Sequence, residues 1–198
     1  MRPASQISGS SPMALRGRDR SEVLAALGEV FREHGFEGAS LALISERTGL
    51  GKGSLYNFFP GGKEEMAAAV LAEIDLWFET HIFKPLREEK DPQVAICHML
   101  QAVDTYFRSG RRLCLVGVLA LGDSRDRFAQ QVRSYFSTWT QALAAALARA
   151  GQDGETAHAL AEEAVAVIQG ALILARAMPK SGTFARTLTR LKNRLLPT

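Results

Sequence analysis

Cysteine is scarce and charge is nearly balanced. Cys97 and Cys114 are the only two cysteines in 198 residues, too few for a disulfide framework, and neither belongs to a metal-binding spacing. His34, His81, His98 and His158 are scattered, and Cys97 and His98, being adjacent, do not share a helix face, so no metal site is expected. The net charge is only +3, which argues against a chain that coats nucleic acid along its whole length. No apolar run reaches a membrane span uninterrupted, because the longest candidate, 157–178, contains Glu162, Glu163 and Gln169. Residues 1–18 lack the apolar core of a signal peptide and are rich in Ser, Pro and Gly, with Arg2, Arg16 and Arg18. They read as a disordered arm, and with nothing directing export a cytoplasmic protein is expected. No Ser/His/Asp set, carboxylate pair or phosphate loop is visible, so neither an enzyme nor a cofactor is expected. Strand alternation and internal repeats are missing too.

What is present is helical periodicity. Asp19 to Glu22 fits a capping box opening a first helix, with Val23, Leu27, Val30 and Phe31 on one face and a glycine stop at Gly35. Ser40 caps a short second helix that Gly49 breaks, and a third runs from about Lys52 to Pro60. A long helix from Lys63 to about Glu89 follows, with a kink or end expected near Phe83 because of Pro85. Further helices are expected over 92–108, 114–121, 125–150, 155–178 and 184–195. The fold class is all-α with about nine helices: a helix-turn-helix domain over 19–63 and a larger helical domain over 64–198.

Charge is unevenly distributed. Residues 1–63 are net +2, 64–179 net −4 and 180–198 net +5. In the stretch 40–63, Leu55 and Phe59 lie four apart and point inward, leaving Lys52, Ser54, Tyr56 and Asn57 outside. A helix this short is held only by its neighbours, an arrangement suited to presenting side chains to a DNA groove. Lys52 and Lys63 can neutralise phosphates, the hydroxyls of Ser40, Ser54 and Tyr56 can donate to phosphate oxygens, and Asn57 can contact a base edge.

The stretch from Ile44 to Glu64, ISERTGLGKGSLYNFFPGGKE, resembles the N-terminal signature of TetR/AcrR-type transcriptional regulators. The Pro-Gly-Gly-Lys turn resembles a multidrug- and flavonoid-repressor subgroup, and the segment around Cys114 looks like the start of their sixth helix. The resemblance implies a homodimer on a palindromic double-stranded DNA operator, most simply a repressor, released by a small hydrophobic or aromatic effector. It places Ser40, Lys52, Ser54, Tyr56, Asn57 and Lys63 at the DNA. Two positions depart from the family: Gly51 stands in place of the usual N-cap Ser, and Phe58 where His is common.

For the effector, Trp77, Met99, Phe107, Phe136 and Trp139 on the middle helices are the candidate pocket residues, although aromatics also build ordinary cores. For the dimer, the row Ala161, Ala164, Ile168, Ala171 and Ala175 and the stripe Phe184, Leu188, Leu191 and Leu195 are the expected seam. Two alternatives stand beside this reading. One is a redox-responsive regulator using Cys114, whose position after Arg111 and Arg112 at a helix start would favour the thiolate. The other is a helical scaffold that does not bind DNA.

Overall fold

The computed structural model describes residues 19–180 and 182–196, so the arm expected over 1–18 lies outside it. Helix α1 (Arg20–Gly38) starts on Asp19, whose carboxylate accepts from the Ser21 backbone N–H at 3.5 Å and its hydroxyl at 2.9 Å. Gly35, at φ 67°, breaks the helical path, yet the chain resumes turning to Gly38. Phe36 folds back and stacks on Phe31 with centroids 6.2 Å apart. Helices α2 (Leu41–Thr48) and α3 (Lys52–Phe58) complete a three-helix head, and α4 (Gly62–Phe78) leads out of it.

Pro85 does not end the long helix. A π-helical turn (Glu79–Phe83) joins α4 to α5 (Lys84–Glu88), and the Lys84 N–H bonds the Glu79 carbonyl five residues back. The wider turn absorbs the missing proline N–H and the bulk of its ring, which a regular α-ladder does not. Arg149 then holds the end of α5 by donating to the Leu86 carbonyl at 2.7 Å. Helix α6 (Pro92–Tyr106) opens on Asp91, which accepts from the Gln93 N–H at 2.9 Å. Helix α7 (Leu115–Leu121) follows.

Helix α8 (Ala129–Arg149) starts later than expected. Residues 123–126 form a 3₁₀ turn instead, and the chain bends so that Phe128 lies edge-on to Phe36 of the head at 5.2 Å. Helix α9 (Gly154–Ala177) is capped by Asp153, and α10 (Thr183–Leu195) closes the described chain. Every regular element among the described residues is helical.

The core of the larger domain is an aromatic cluster centred on Phe78. Its ring meets those of Tyr135 at 4.8 Å, Tyr106 at 4.9 Å and Trp139 at 5.4 Å, mostly edge-to-face. Met99 fills the gap beside Trp139 and accepts its indole N–H at 3.5 Å. Helix α9 packs chiefly on α8 and α10. The residues expected to face a second copy do this packing: Ala161, Ala164, Ile168, Ala171, Phe184, Leu188, Leu191 and Leu195 are buried within the chain, and Ala175 is half-buried. The correction is physical. Small residues that permit close helix approach are used first on the chain's own neighbours.

Candidate nucleic-acid interface

Local devices fix α2 at its start and hold the turn that leads from it into α3. Ser40 caps α2, its hydroxyl accepting from the Leu43 N–H at 3.2 Å. Gly49 takes the left-handed conformation at φ 68°, which lets the chain reverse without a Cβ clash. Ser45 then reaches across and donates to the Leu50 carbonyl at 2.5 Å, while Thr48 bonds the Ile44 carbonyl at 2.7 Å. The turn is thus pinned to α2 by side chains rather than left to swing.

Helix α3 has seven residues and sits on the head through Leu55 and Phe59, both fully buried. Arg20 of α1 lies over the Phe59 ring at 4.9 Å and donates to the Phe58 carbonyl at 3.3 Å, tying the end of α3 to the start of α1. Lys52, Ser54, Tyr56 and Asn57 are all exposed, as is Ser40. Phe58 is half-buried against Phe59, and so belongs to the support rather than the outer face.

Lys63 differs from the other five expected contact residues. It is half-buried, donates to the Phe36 carbonyl at 2.8 Å and lies over the Phe36 ring at 4.4 Å. Its ammonium retains further N–H bonds for a phosphate but is anchored at one side. Arg127, from the segment before α8, lies over the same ring at 5.5 Å and pairs with Glu64 at 2.5 Å. Phe36 is therefore a junction between the head and the larger domain.

Residues 23–70 match the family described as bacterial regulatory proteins, tetR family. Residues 92–188 match the family described as transcriptional regulator LmrA/YxaF-like, C-terminal domain. The chain belongs to the TetR family of transcriptional regulators. It is similar to the HTH-type transcriptional regulator YxaF of Bacillus subtilis, 27% identical over 166 residues, covering 82% of this chain and 87% of that one. LmrA of the same organism is 26% identical over 162 residues, covering 80% and 86%. Among solved structures, a TetR regulator from Legionella pneumophila has a TM-score of 0.73 at 19% identity, covering 91% of this chain and 99% of that one. A cysteine mutant of the TetR-family regulator CifR complexed with a 26-bp double-strand operator has a TM-score of 0.71 at 23% identity, covering 91% and 98%. TetR-family proteins are DNA-binding transcriptional regulators and not enzymes. The scaffold without DNA binding is set aside.

The larger half of this TetR-family chain distributes the expected pocket residues among three places. Met99, Phe107 and Trp139 are fully buried in the core. Trp77 lines a cleft of about 310 Å³ between α1, α4 and the end of α6. Phe136 lines a separate apolar cavity of about 320 Å³ under α7, with Leu113, Cys114, Val118, Leu121 and Gln169 among its walls. Sequence reasoning missed that cavity, and two residues signal it. Gly117 leaves room where a Cβ would come within 2.9 Å of Gln169 Oε1, and Gln169 is a polar side chain set in an apolar helix. The amide nitrogen of Gln169 is buried without a hydrogen-bond partner.

Cys114 lies in that wall, and its environment reverses the expected chemistry. It caps α7, accepting from the Gly117 N–H at 3.4 Å, and is buried beside the Tyr135 hydroxyl. Burial pushes the thiol above its ordinary value, outweighing the Gly117 bond and the distant positive charge of Arg32. A reactive thiolate is not what this site produces, so the redox reading gains no support.

Proposed function

We propose that the protein is a homodimeric repressor that binds a palindromic operator and is released by a small, largely apolar effector. The observation that carries the reading is the outer face of α9. Val167, Ile173 and Leu174 are 37%, 58% and 47% exposed, and together with exposed Ala166 and Ala177 and half-buried Gly170 they form one stripe at helical spacing. Helix α9 is long and apolar enough to cross a membrane by length and composition alone, despite Glu162, Glu163 and Gln169. Its apolar surface instead divides into a face spent on α8 and α10 and a face left open. A second copy suits the open face, because a two-fold axis pairs the stripe with itself and the small Ala166 and Gly170 allow close approach. The dimer seam is therefore the opposite side of α9 from the row expected in the sequence.

At the DNA, exposed Lys52, Ser54, Tyr56 and Asn57 are the contact set, with Ser40 and Lys63 on the backbone. The operator complex of CifR supports this placement by shared fold. Such a protein acts in the cytoplasm, where its DNA is.

The effector site is the apolar cavity under α7. Its walls are almost wholly apolar, with Gln169 beside the Cys114 thiol as the polar amide among them, so it suits a compact apolar molecule carrying one acceptor. A bigger depression, about 1160 Å³ between α5, α6 and α10, is an open groove with Lys84, Glu88, Glu89, Asp91 and His98 in its lining, and it suits an apolar ligand less. The test is an operator selected from random duplexes, followed by titration with apolar compounds against wild type and Gly117→Leu. Effector release in wild type and its loss in Gly117→Leu, with operator affinity kept, is the expected result. Release that is equal in both moves the effector site elsewhere, and selection of no specific duplex contradicts the operator reading.

A further inference from the structure

The cleft beside Trp77 is chemically unlike the α7 cavity, and the operator face does not use it. Arg32 of α1 forms its floor and is only 5% exposed. One terminal nitrogen donates to Glu29 Oε1 at 3.3 Å and the other to the Tyr106 hydroxyl at 3.0 Å, but Nε is buried with no partner. The seat for this guanidinium is sequence-encoded. Position 28 is glycine, and a Cβ there would lie 2.8 Å from Arg32 Nη1.

Arg112 enters from the segment before α7 and donates from Nε to the same oxygen of Glu29, at 3.0 Å. One carboxylate oxygen thus serves two guanidiniums that repel each other. Burial first, and the charge of Arg32 second, hold Arg112 below its ordinary value. Arg108 adds a third cation to the lining, where Glu73 is the acid, and Glu29 joins the group through its bonds to Arg32 and Arg112. Three cations face two carboxylates in a partly desolvated cleft, so a monoanion would balance the site. The walls are aromatic: Trp77 and Tyr106 have ring centroids 4.5 Å apart, and Arg112 lies over Tyr106 at 4.7 Å.

We propose that this cleft binds a small aromatic carboxylate, with its carboxylate on Arg32 Nε and Arg112 and its ring against Trp77. The volume of about 310 Å³ fits a one- or two-ring acid. Such a ligand touches α1 of the head, α4 and the end of α6 at once, so it bridges the two halves of the chain. The site is independent of the apolar effector cavity and of operator binding.

Calorimetric titration of the full chain at low salt tests it, with benzoate as probe, benzamide as its neutral isostere and inorganic phosphate as the non-aromatic anion. Benzoate is expected to bind at least about tenfold more tightly than benzamide and than phosphate, the ratio expected of one charge-assisted contact. Arg112→Gln, on the cleft wall and only partly buried, is expected to weaken benzoate by a similar factor. Trp77→Phe is expected to remove any benzoate-induced fluorescence change, because Trp139 is sealed in the core. Equal binding of benzoate and benzamide, tighter binding of phosphate, indifference to Arg112→Gln in a folded variant, or no heat with benzoate at about 10 mM would each overturn the proposal. None of these outcomes depends on DNA.

Discussion

Lys52 and Lys63 carry the same charge on the same head but hold it differently. Lys52 is exposed on α3, with no hydrogen bond to its ammonium among the described residues, so on the proposed operator face its role would be phosphate neutralisation with ion release. Lys63 is bonded to the Phe36 carbonyl and stacked on the Phe36 ring, so it also supports the head. Lys52→Ala is therefore expected to weaken operator binding, lower the slope of log affinity against log salt by about one, and leave the melting temperature unchanged. Lys63→Ala is expected to weaken binding and also to destabilise the fold by about 1 kcal/mol, discounted for partial exposure. Salt titrations of operator binding beside thermal melts check both. An unchanged melt for Lys63→Ala would show that the Phe36 contact contributes nothing. The exposed set on α3 was readable from the spacing of Leu55 and Phe59. The Lys63 anchor was not, because Phe36 lies 27 positions away and only the fold brings its carbonyl to the lysine.

At the scale of elements, α7 shows why helix starts are read more easily than their chemistry. The sequence places a helix near Cys114 and two arginines before it, and both features favour a thiolate in isolation. In the fold the helix is laid into the core: Leu115, Val116 and Leu119 are buried, and the thiol goes in with them. Arg112 turns away to Glu29 and Tyr106, so desolvation wins over the local fields. In a Cys97→Ser background, alkylation of Cys114 by iodoacetamide is expected to be slow, with its pH inflection above the ordinary thiol value of 9.0. A thiol raised in the folded state stabilises fully below the unfolded value and loses that contribution as pH rises through the folded one. An inflection at or below 9.0 would restore the redox reading. At α5, Pro85 forecasts a kink or end near Phe83, and the protein answers with a π turn rather than a stop. Periodicity marks apolar positions, but it does not say which tertiary partner absorbs an irregularity.

For the whole molecule, the question is which face of α9 meets what. The sequence shows a helix apolar around much of its circumference, and sequence alone cannot divide that circumference between core and partner. The fold does so: the row through Ala161, Ala164, Ile168 and Ala171 meets α8 and α10, and the row through Val167, Gly170 and Leu174 stays open. These rows predict opposite outcomes for one kind of substitution. Ala164→Glu buries an unpaired charge and is expected to unfold the chain or lower its melting temperature sharply, by several kcal/mol of stability. Leu174→Glu places the same charge on the open stripe and is expected to leave the helical content intact while converting a dimer to a monomer in light scattering. A monomer presents one recognition helix, whereas a palindrome offers half-sites roughly 34–36 Å apart that two rigidly joined helices read together. Leu174→Glu should therefore also reduce operator binding to the weak, salt-sensitive level of non-specific contacts. A Leu174→Glu protein that remains dimeric and keeps its operator affinity would move the seam off α9. In that case α10 is the next surface to test, because its outer face carries Arg186, Arg190, Lys192 and Arg194, and Arg194 already pairs with Glu163 of α9 at 3.3 Å.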